Sequence, residues 1–159
     1  MKGAIVDKGN SGIIKFKSIF EKMKEFQKEY NWLISDCEAY PIYDDIKNKL
    51  YQYGEYTWLT GEELTDIINR DDIAWSWAVL SGFEKTITMD EVLEYELPYA
   101  DGYGGFWNEN ISIQNPLATI ELVAWDGLLT LFISKDDALV EEFRKAVPLS
   151  LDLQQYNIS

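Results

Sequence analysis

The sequence predicts a single α+β domain in which a mostly antiparallel sheet is covered by helices. Three observations predict it. Apolar residues recur at helical spacing near the N-terminus, short β-prone runs alternate with turn residues through the middle, and Asp-Gly separates two apolar runs near the C-terminus. The chain has 159 residues, the length of one ordinary domain, and no composition break indicates a linker. We therefore expect residues 1–159 to fold as one unit.

The first predicted element is an amphipathic helix of about four turns, in which lysines and glutamates fill most positions between the apolar residues. Such a basic amphipathic helix can lie on a membrane surface, but its glutamates dilute the charge, so packing on the core is the preferred interpretation. The apolar stripe consists of Ile13, Phe16, Ile19, Phe20, Met23, Phe26 and Tyr30.

Short β-prone runs follow the helix. Strands are predicted at residues 32–35, 39–43, 57–59 and 73–80. The first two flank a predicted turn at 36–38, and Pro41 would place the second at a sheet edge because proline cannot donate to the ladder. In the last run, large and small residues alternate, so Trp75 and Trp77 are predicted to lie on one face of a central strand.

Two capping boxes predict helix starts in the middle of the chain. Thr60 with Glu63, and Thr88 with Glu91, can each exchange side-chain and backbone hydrogen bonds at a first helical turn. The second of these helices is expected to be short and to end near Tyr95.

The clearest supersecondary signal lies towards the C-terminus. Asp126-Gly127 separates two β-prone runs, at 119–125 and 128–134, and this is the pattern of a tight type I′ hairpin. Ser134, with an acid three residues later, is expected to cap a final helix that Pro148 ends. The tail from 149 to 159 shows no clear period.

The charge is strongly negative and unevenly distributed. The 28 acidic residues outnumber 14 basic ones, which gives −14. Residues 1–30 carry +3, residues 31–100 carry −11 and residues 101–159 carry −6. Such a surface repels nucleic acid and anionic membranes and favours a cationic protein partner. The plainer alternative is that the acidic surface only keeps the protein soluble.

The residue inventory excludes several kinds of chemistry. The chain has no histidine, so serine and cysteine triads, imidazole bases and histidine metal sites are excluded. Cys37 is the single cysteine and can form no internal disulfide. No phosphate-binding loop and no apolar run long enough for a signal peptide or a membrane span occurs, so we expect a cytoplasmic protein.

Carboxylates are the remaining chemical groups. Adjacent acidic pairs could hold a hard cation loosely, or cleave glycosidic bonds across a cleft, but none has the spacing of a calcium loop. The pairs are Asp44-Asp45, Asp71-Asp72, Asp90-Glu91 and Asp136-Asp137. Because no acid is singled out by its context, we predict a protein that is not an enzyme and has no metal site and no cofactor.

A glycine-rich loop at 98–107 is the most informative segment for binding. It contains four aromatic residues, and aromatic side chains on loops provide large contact areas for a partner. The predicted binding residues are Asp71, Asp72, Tyr99, Asp101, Tyr103 and Trp107. The alternative is that Phe106 and Trp107 fold back over the core.

Several segments also carry a family resemblance. They are Leu59-Thr60-Gly61-Glu62-Glu63-Leu64, Leu97-Pro98-Tyr99-Ala100, Ile120-Glu121-Leu122-Val123-Ala124-Trp125-Asp126 and Pro148-Leu149-Ser150-Leu151-Asp152-Leu153-Gln154-Gln155-Tyr156-Asn157. Together they resemble a family of small acidic proteins of unknown function, found largely in Bacillus-type bacteria. The resemblance implies no activity and no site residues.

The small, acidic, tryptophan-rich composition is similar to that of immunity proteins of bacterial toxin systems. The leading hypothesis is therefore a protein-binding module, an immunity protein that neutralises a basic toxin. A small-molecule sensor with an aromatic pocket and a carboxylate-based hydrolase are the alternatives.

Overall fold

A seven-stranded antiparallel sheet forms the centre of the molecule in the computed structural model, which describes residues 1–7 and 15–159. The strands are β1 (Lys2–Asp7), β2 (Tyr30–Tyr40), β3 (Tyr56–Thr60), β4 (Ala74–Glu84), β5 (Ile120–Trp125), β6 (Leu129–Ser134) and β7 (Leu151–Asp152). They lie in the order β3-β2-β4-β5-β6-β1-β7, and neighbouring strands in this order run antiparallel. The predicted α+β class is confirmed.

Helices and irregular chain cover the two sides of the sheet. The helices are α1 (Phe16–Lys22), α2 (Asp44–Leu50), α3 (Gly61–Arg70), α4 (Met89–Val92), α5 (Asp137–Ala146) and α6 (Leu153–Ile158). Side chains of α1, α2, α3 and α5 pack on one side, the helical face. The other side, the loop face, is covered by residues between β4 and β5 together with α6. Apolar side chains are thus buried on both sides of the central strands.

The predicted N-terminal helix is shorter than its apolar stripe. Helix α1 ends at Lys22, and the next turn is broken because Lys24 and Glu25 both have positive φ, 57° and 59°. A 3₁₀ turn, Phe26–Glu29, then leads into β2. Phe26 nevertheless packs on the same core as α1. Apolar residues at helical spacing can therefore share one core even where the helix between them is broken. Ile13 lies outside the described residues.

The two strands predicted at 32–35 and 39–43 form one strand, β2, so the predicted turn at 36–38 is wrong. A bulge at Asp36, which has φ of 47°, lets pairing with β4 continue on both sides of it. Pro41 follows the end of β2 at Tyr40, and because β3 pairs with β2 only over residues 31–35, the segment before Pro41 pairs with β4 alone, at an edge as predicted. Helix α2, which follows β2, was not predicted from the sequence.

Trp75 and Trp77 lie on opposite faces, which corrects the prediction that they share one. In the register with β2, Glu38 opposes Trp77 and Ala39 opposes Trp75, so Ser76 is an extra residue on β4. This bulge reverses the alternation of side chains along the strand. Trp75 consequently packs with the helical-face core and Trp77 with the loop-face core.

Both predicted capping boxes are present. Thr60 begins α3 and Thr88 begins α4, each bonded reciprocally to the glutamate three residues later. The cap of α5 differs from the prediction, because Asp136 accepts from the N–H of Ala138 at 3.0 Å. Ser134 instead accepts from the N–H of Asp136, the residue that immediately precedes the helix. An aspartate adjacent to the helix is the better placed acceptor.

The predicted Asp-Gly hairpin joins β5 to β6. Asp126 and Gly127 have φ of 50° and 65°, and the N–H of Leu128 donates to the carbonyl of Trp125 at 2.9 Å. The N–H of Gly127 also donates to the carbonyl of Ser76 at 2.8 Å, which fixes the hairpin turn against the bulge of β4.

Gly127→Val should lower the free energy of unfolding by about 1 kcal/mol or more, because a β-branched residue tolerates positive φ poorly. A Cβ at this position would meet only Ser76 Oγ, at 3.9 Å, so the cost is conformational and not steric. Urea denaturation measures it. Gly127→Asn is the matched control and should cost much less, since asparagine adopts this conformation. Equal losses for the two variants would contradict the explanation.

Candidate functional site

The loop at 98–107 lies across the loop face and places its aromatic rings in contact. The ring centroids of Tyr99 and Tyr103 are 5.2 Å apart, and those of Tyr103 and Phe106 are 4.7 Å apart. Phe106 is buried, as the alternative interpretation expected for it. Tyr103 and Trp107 are half-buried, and Tyr99 remains 45% exposed. The loop thus anchors on the core and still presents aromatic surface to solvent.

Three aromatic residues from other elements extend this surface. Trp125 lies 5.0 Å from Trp107 and 5.0 Å from Trp77, and Tyr156 of α6 lies 6.4 Å from Trp107, all between ring centroids. All four rings are half-buried. The aromatic surface is defined here as Trp77, Tyr99, Tyr103, Trp107, Trp125 and Tyr156.

Sequence reasoning missed the contributions of Trp77, Trp125 and Tyr156. Trp77 lies on this face in regular alternation with Val79, and the bulge at Ser76 turns only Trp75 to the helical face. Trp125 could have been found from the sequence, because it immediately precedes the Asp-Gly turn. Tyr156 lies in a tail without a clear period.

Hydrogen bonds fix the first half of the loop to β2. The carboxylate of Asp36 accepts from the N–H groups of Ala100 and Asp101, both at 2.9 Å. Beside it, the hydroxyl of Ser35 donates to the carbonyl of Pro98 at 2.7 Å. The bulge in β2 therefore orients the side chain that holds the loop.

The rest of the loop is held by amide side chains. Gln114 accepts from the N–H of Tyr99 at 3.1 Å and donates to its carbonyl at 2.8 Å. Asn157 of α6 donates to the carbonyls of Phe106 and Asn108 at 2.8 and 2.9 Å. A loop fixed at several points loses little conformational entropy when a partner binds, so the aromatic surface is preorganised.

The charged residues in the chain around the aromatic surface are all acidic. Residues 86–134 contain no lysine and no arginine. Their exposed acids are Asp90, Glu91, Glu94, Glu96, Asp101, Glu109 and Asp126. The ion pairs found among the described residues all lie outside this stretch, and Lys135, at its boundary, donates to the carbonyl of Pro116. The negative potential here is therefore largely uncompensated.

Asp71 and Asp72 do not lie with the loop residues that were predicted to bind a partner together with them. Asp71 is only 5% exposed, and its carboxylate accepts from the N–H groups of Ile42 and Tyr43. Asp72 is exposed and forms an ion pair with Lys15 at 2.7 Å. Asp71 is therefore not an exposed charge, because its carboxylate holds backbone amides.

Asp71 and Asp72 instead line a cleft of about 760 Å³, together with Phe16 and Trp75 of the helical-face core. The predicted binding residues therefore form two groups. Tyr99, Asp101, Tyr103 and Trp107 come together in the loop on the loop face, and the two adjacent aspartates lie on the other side of the sheet.

Cys37 and the acids are the side chains that could serve as a nucleophile or bind a metal ion. Burial raises the pKa of the Cys37 thiol to about 11, so the thiol stays protonated near neutral pH. Among residues 1–7 and 15–159, no three acidic or cysteine side chains are grouped so that they could hold a metal ion.

Comparison of the chain with models of known families, with curated proteins and with solved structures found no match. Within the part of the chain that the structure describes, no helix has the length and hydropathy of a membrane span. The aromatic surface and the acidic residues around it are the features of the described chain that bear on its function.

Proposed function

We propose that the aromatic surface binds a cationic protein partner. The observation that carries this proposal is the coincidence, on one face, of half-buried tryptophans with a stretch of chain that has exposed acids and no basic residue. Tryptophan and tyrosine are the residues that most often dominate binding energy at protein interfaces. Acidic groups around them would steer a basic partner and repel an acidic one.

An immunity protein that neutralises a basic toxin is the specific form of this proposal. Such a protein acts by covering its target, so it needs a preorganised surface and no catalytic groups. The acidic, tryptophan-rich composition supports it, as does the similarity in composition to immunity proteins of toxin systems. A cytoplasmic location and membership of the Bacillus-type family of small acidic proteins belong to the same proposal.

Association and dissociation rates test the proposal separately. The purified protein should be paired with the product of the neighbouring gene, where a toxin and its immunity protein are expected to be encoded together. The combined variant Asp101→Lys, Glu109→Lys and Asp126→Lys should slow association by about tenfold at low salt. Tyr103→Ala and Trp107→Ala should each speed dissociation by about tenfold or more.

Matched controls separate the proposed surface from the rest of the molecule. Asp72→Lys changes the charge on the helical face and should leave the association rate nearly unchanged. Tyr43→Ala removes a tyrosine that is 49% exposed and lines the cleft on the helical face, so it should leave the dissociation rate nearly unchanged. Association should weaken as salt rises past ~0.15 M, where the screening length falls below ~8 Å. Salt-independent binding that the triple variant does not affect would exclude the electrostatic proposal.

A small-molecule sensor is the second candidate, and the cleft on the helical face is the observation that favours it. The cleft is lined by Phe16 and Trp75, whose ring centroids are 5.3 Å apart, and by charged residues at its rim. Binding of a small molecule there should quench or shift tryptophan fluorescence, and Trp75→Leu should remove that change. A hydrolase would instead show turnover that is lost when one acid is removed.

A further inference from the structure

Glu121 occupies an unusual place for a carboxylate. It is the second residue of β5, where Ser81 of β4 and Ile133 of β6 oppose it in the antiparallel register. Its side chain is on the loop face and is fully buried beneath the covering chain. A carboxylate at such a position needs a counter-ion or several hydrogen bonds if it is to stay ionised.

The surroundings of Glu121 provide little of either. Its Oε2 accepts from the N–H of Gln114 at 3.0 Å, whereas Oε1 has no hydrogen-bond partner in the described part of the chain. The hydroxyl of Ser81 is likewise buried there without a partner. Gln114 also holds the backbone of Tyr99, so one residue links the buried carboxyl to the loop of the aromatic surface.

We propose that Glu121 is a proton-dependent switch for the cover, defined as residues 97–118, which carries Tyr99, Tyr103 and Trp107. With a neutral Glu121 the cover packs closely on the sheet, and ionisation of Glu121 favours opening of the cover so that water reaches the carboxylate. The switch would regulate the surface that the proposed function uses, and in that respect it rests on the proposed function.

The direction of the effect follows from burial. Burial raises the pKa of Glu121 to about 7, against the opposing effect of the hydrogen bonds from Gln114. Because the pKa is raised in the closed state, that state has its full stability below about pH 4.5. It loses this stability as the pH rises through about 7. Opening the irregular cover costs less than separating β4, β5 and β6, so the cover should respond first.

The groups packed around Glu121 do not compensate its charge. The cover contributes Tyr103, whose own pKa is raised first by burial and next by the charge of Glu121. The strands contribute Ser81 and Ile133 in the paired positions. From β2, the acidic side chain of Asp36 is bonded to the backbone amides of Ala100 and Asp101 in the cover. Ionised Glu121 would therefore meet only neutral or acidic side chains among these neighbours.

Hydrogen exchange of the cover, measured at several pH values on the free protein, tests the switch without a partner. After correction for intrinsic rates, opening should increase roughly 70-fold from pH 5 to pH 8, for a carboxyl with a pKa of about 7 when closed and 4.5 when open. The amides of Tyr99 and Gln114 report it directly, because their hydrogen bonds break when the cover opens.

Glu121→Gln should remove this pH dependence, since the amide is nearly isosteric and does not titrate. Glu109→Gln removes an exposed acid from the same cover and should retain it. If Glu121→Gln fails to fold, the carboxyl ¹³C shift of Glu121 in the unmodified protein still reports its titration. A midpoint near 4.5, or exchange of the cover that is equal at pH 5 and pH 8, would overturn the proposal.

A second measurement separates the switch from the proposed function. Binding of the candidate toxin should be weaker at pH 8 than at pH 6 for the unmodified protein and unchanged by pH for Glu121→Gln. Absence of toxin binding at either pH, with pH-dependent exchange intact, would overturn the proposed function and leave the switch standing. Hydrogen exchange that does not change with pH, together with normal toxin binding, would overturn the switch and leave the proposed function standing.

Discussion

Gly61→Ala should lower the free energy of unfolding by about 3 kcal/mol or more, a large loss for the addition of one methyl group. Gly61 is the first residue of α3 and packs directly on the 3₁₀ turn before β2. A Cβ there would lie 2.6 Å from the Cα of Lys28 and 2.8 Å from the carbonyl oxygen of Tyr30, and closer still to the carbonyl oxygen of Gln27. All three are backbone atoms, so no side-chain rotation relieves the overlap.

The displaced backbone is part of a buried hydrogen-bond network, which increases the expected cost. The carbonyl of Gln27 accepts from the indole N–H of Trp32 at 2.9 Å. The side chain of Gln27 donates to the hydroxyl of Thr65, and that hydroxyl donates to the carbonyl of Gly61 itself. Moving α3 away from the 3₁₀ turn would therefore weaken several bonds that water cannot replace.

Chemical denaturation of Gly61→Ala and Gly104→Ala measures the effect against a matched control. Gly104 has no heavy atom within 4 Å of an added Cβ and has ordinary negative φ, so its substitution should change stability by less than ~0.5 kcal/mol. Similar stabilities for the two variants would show that α3 and the 3₁₀ turn can separate at little cost.

Gly61 illustrates which parts of the fold the sequence could predict. The Thr60–Glu63 capping box and the Asp126-Gly127 turn were predicted correctly, because each signal is complete within four neighbouring residues. The need for glycine at 61 was not predicted, since it arises from close approach to the 3₁₀ turn, which lies in another part of the chain.

The parts that the sequence could not predict depend on contacts between distant segments. Strand β1 and the tail elements β7 and α6 are stabilised by pairing and packing with one another, and their local patterns are weak. The bulge at Ser76 is fixed by the distant Gly127. That bulge turns Trp75 away from the face that holds Trp77, so the predicted pairing of the two tryptophans on one face was wrong.

Asp71→Ala should destabilise the protein by about 2–3 kcal/mol, although a surface aspartate usually contributes little. The carboxylate of Asp71 accepts from the N–H of Ile42 at 2.8 Å and from that of Tyr43 at 3.1 Å. Tyr43 immediately precedes α2, so the negative charge also lies at the positive end of that helix. Hydrogen bonds from amides to a buried carboxylate are worth more than neutral ones, and their loss leaves two donors without a partner.

The adjacent residue provides the control that decides between this structural role and a binding role. Asp72 is exposed and forms a surface ion pair with Lys15, so Asp72→Ala should cost less than ~1 kcal/mol. Asp71→Asn keeps an acceptor and should fall between the two, because it loses the charge but not every hydrogen bond. If Asp71→Ala and Asp72→Ala proved equally mild in urea denaturation, the amide contacts would contribute little, and Asp71 would be free to serve as a binding residue. A large difference between them would instead assign Asp71 to the fold and leave the loop face as the place where partner binding has to be sought.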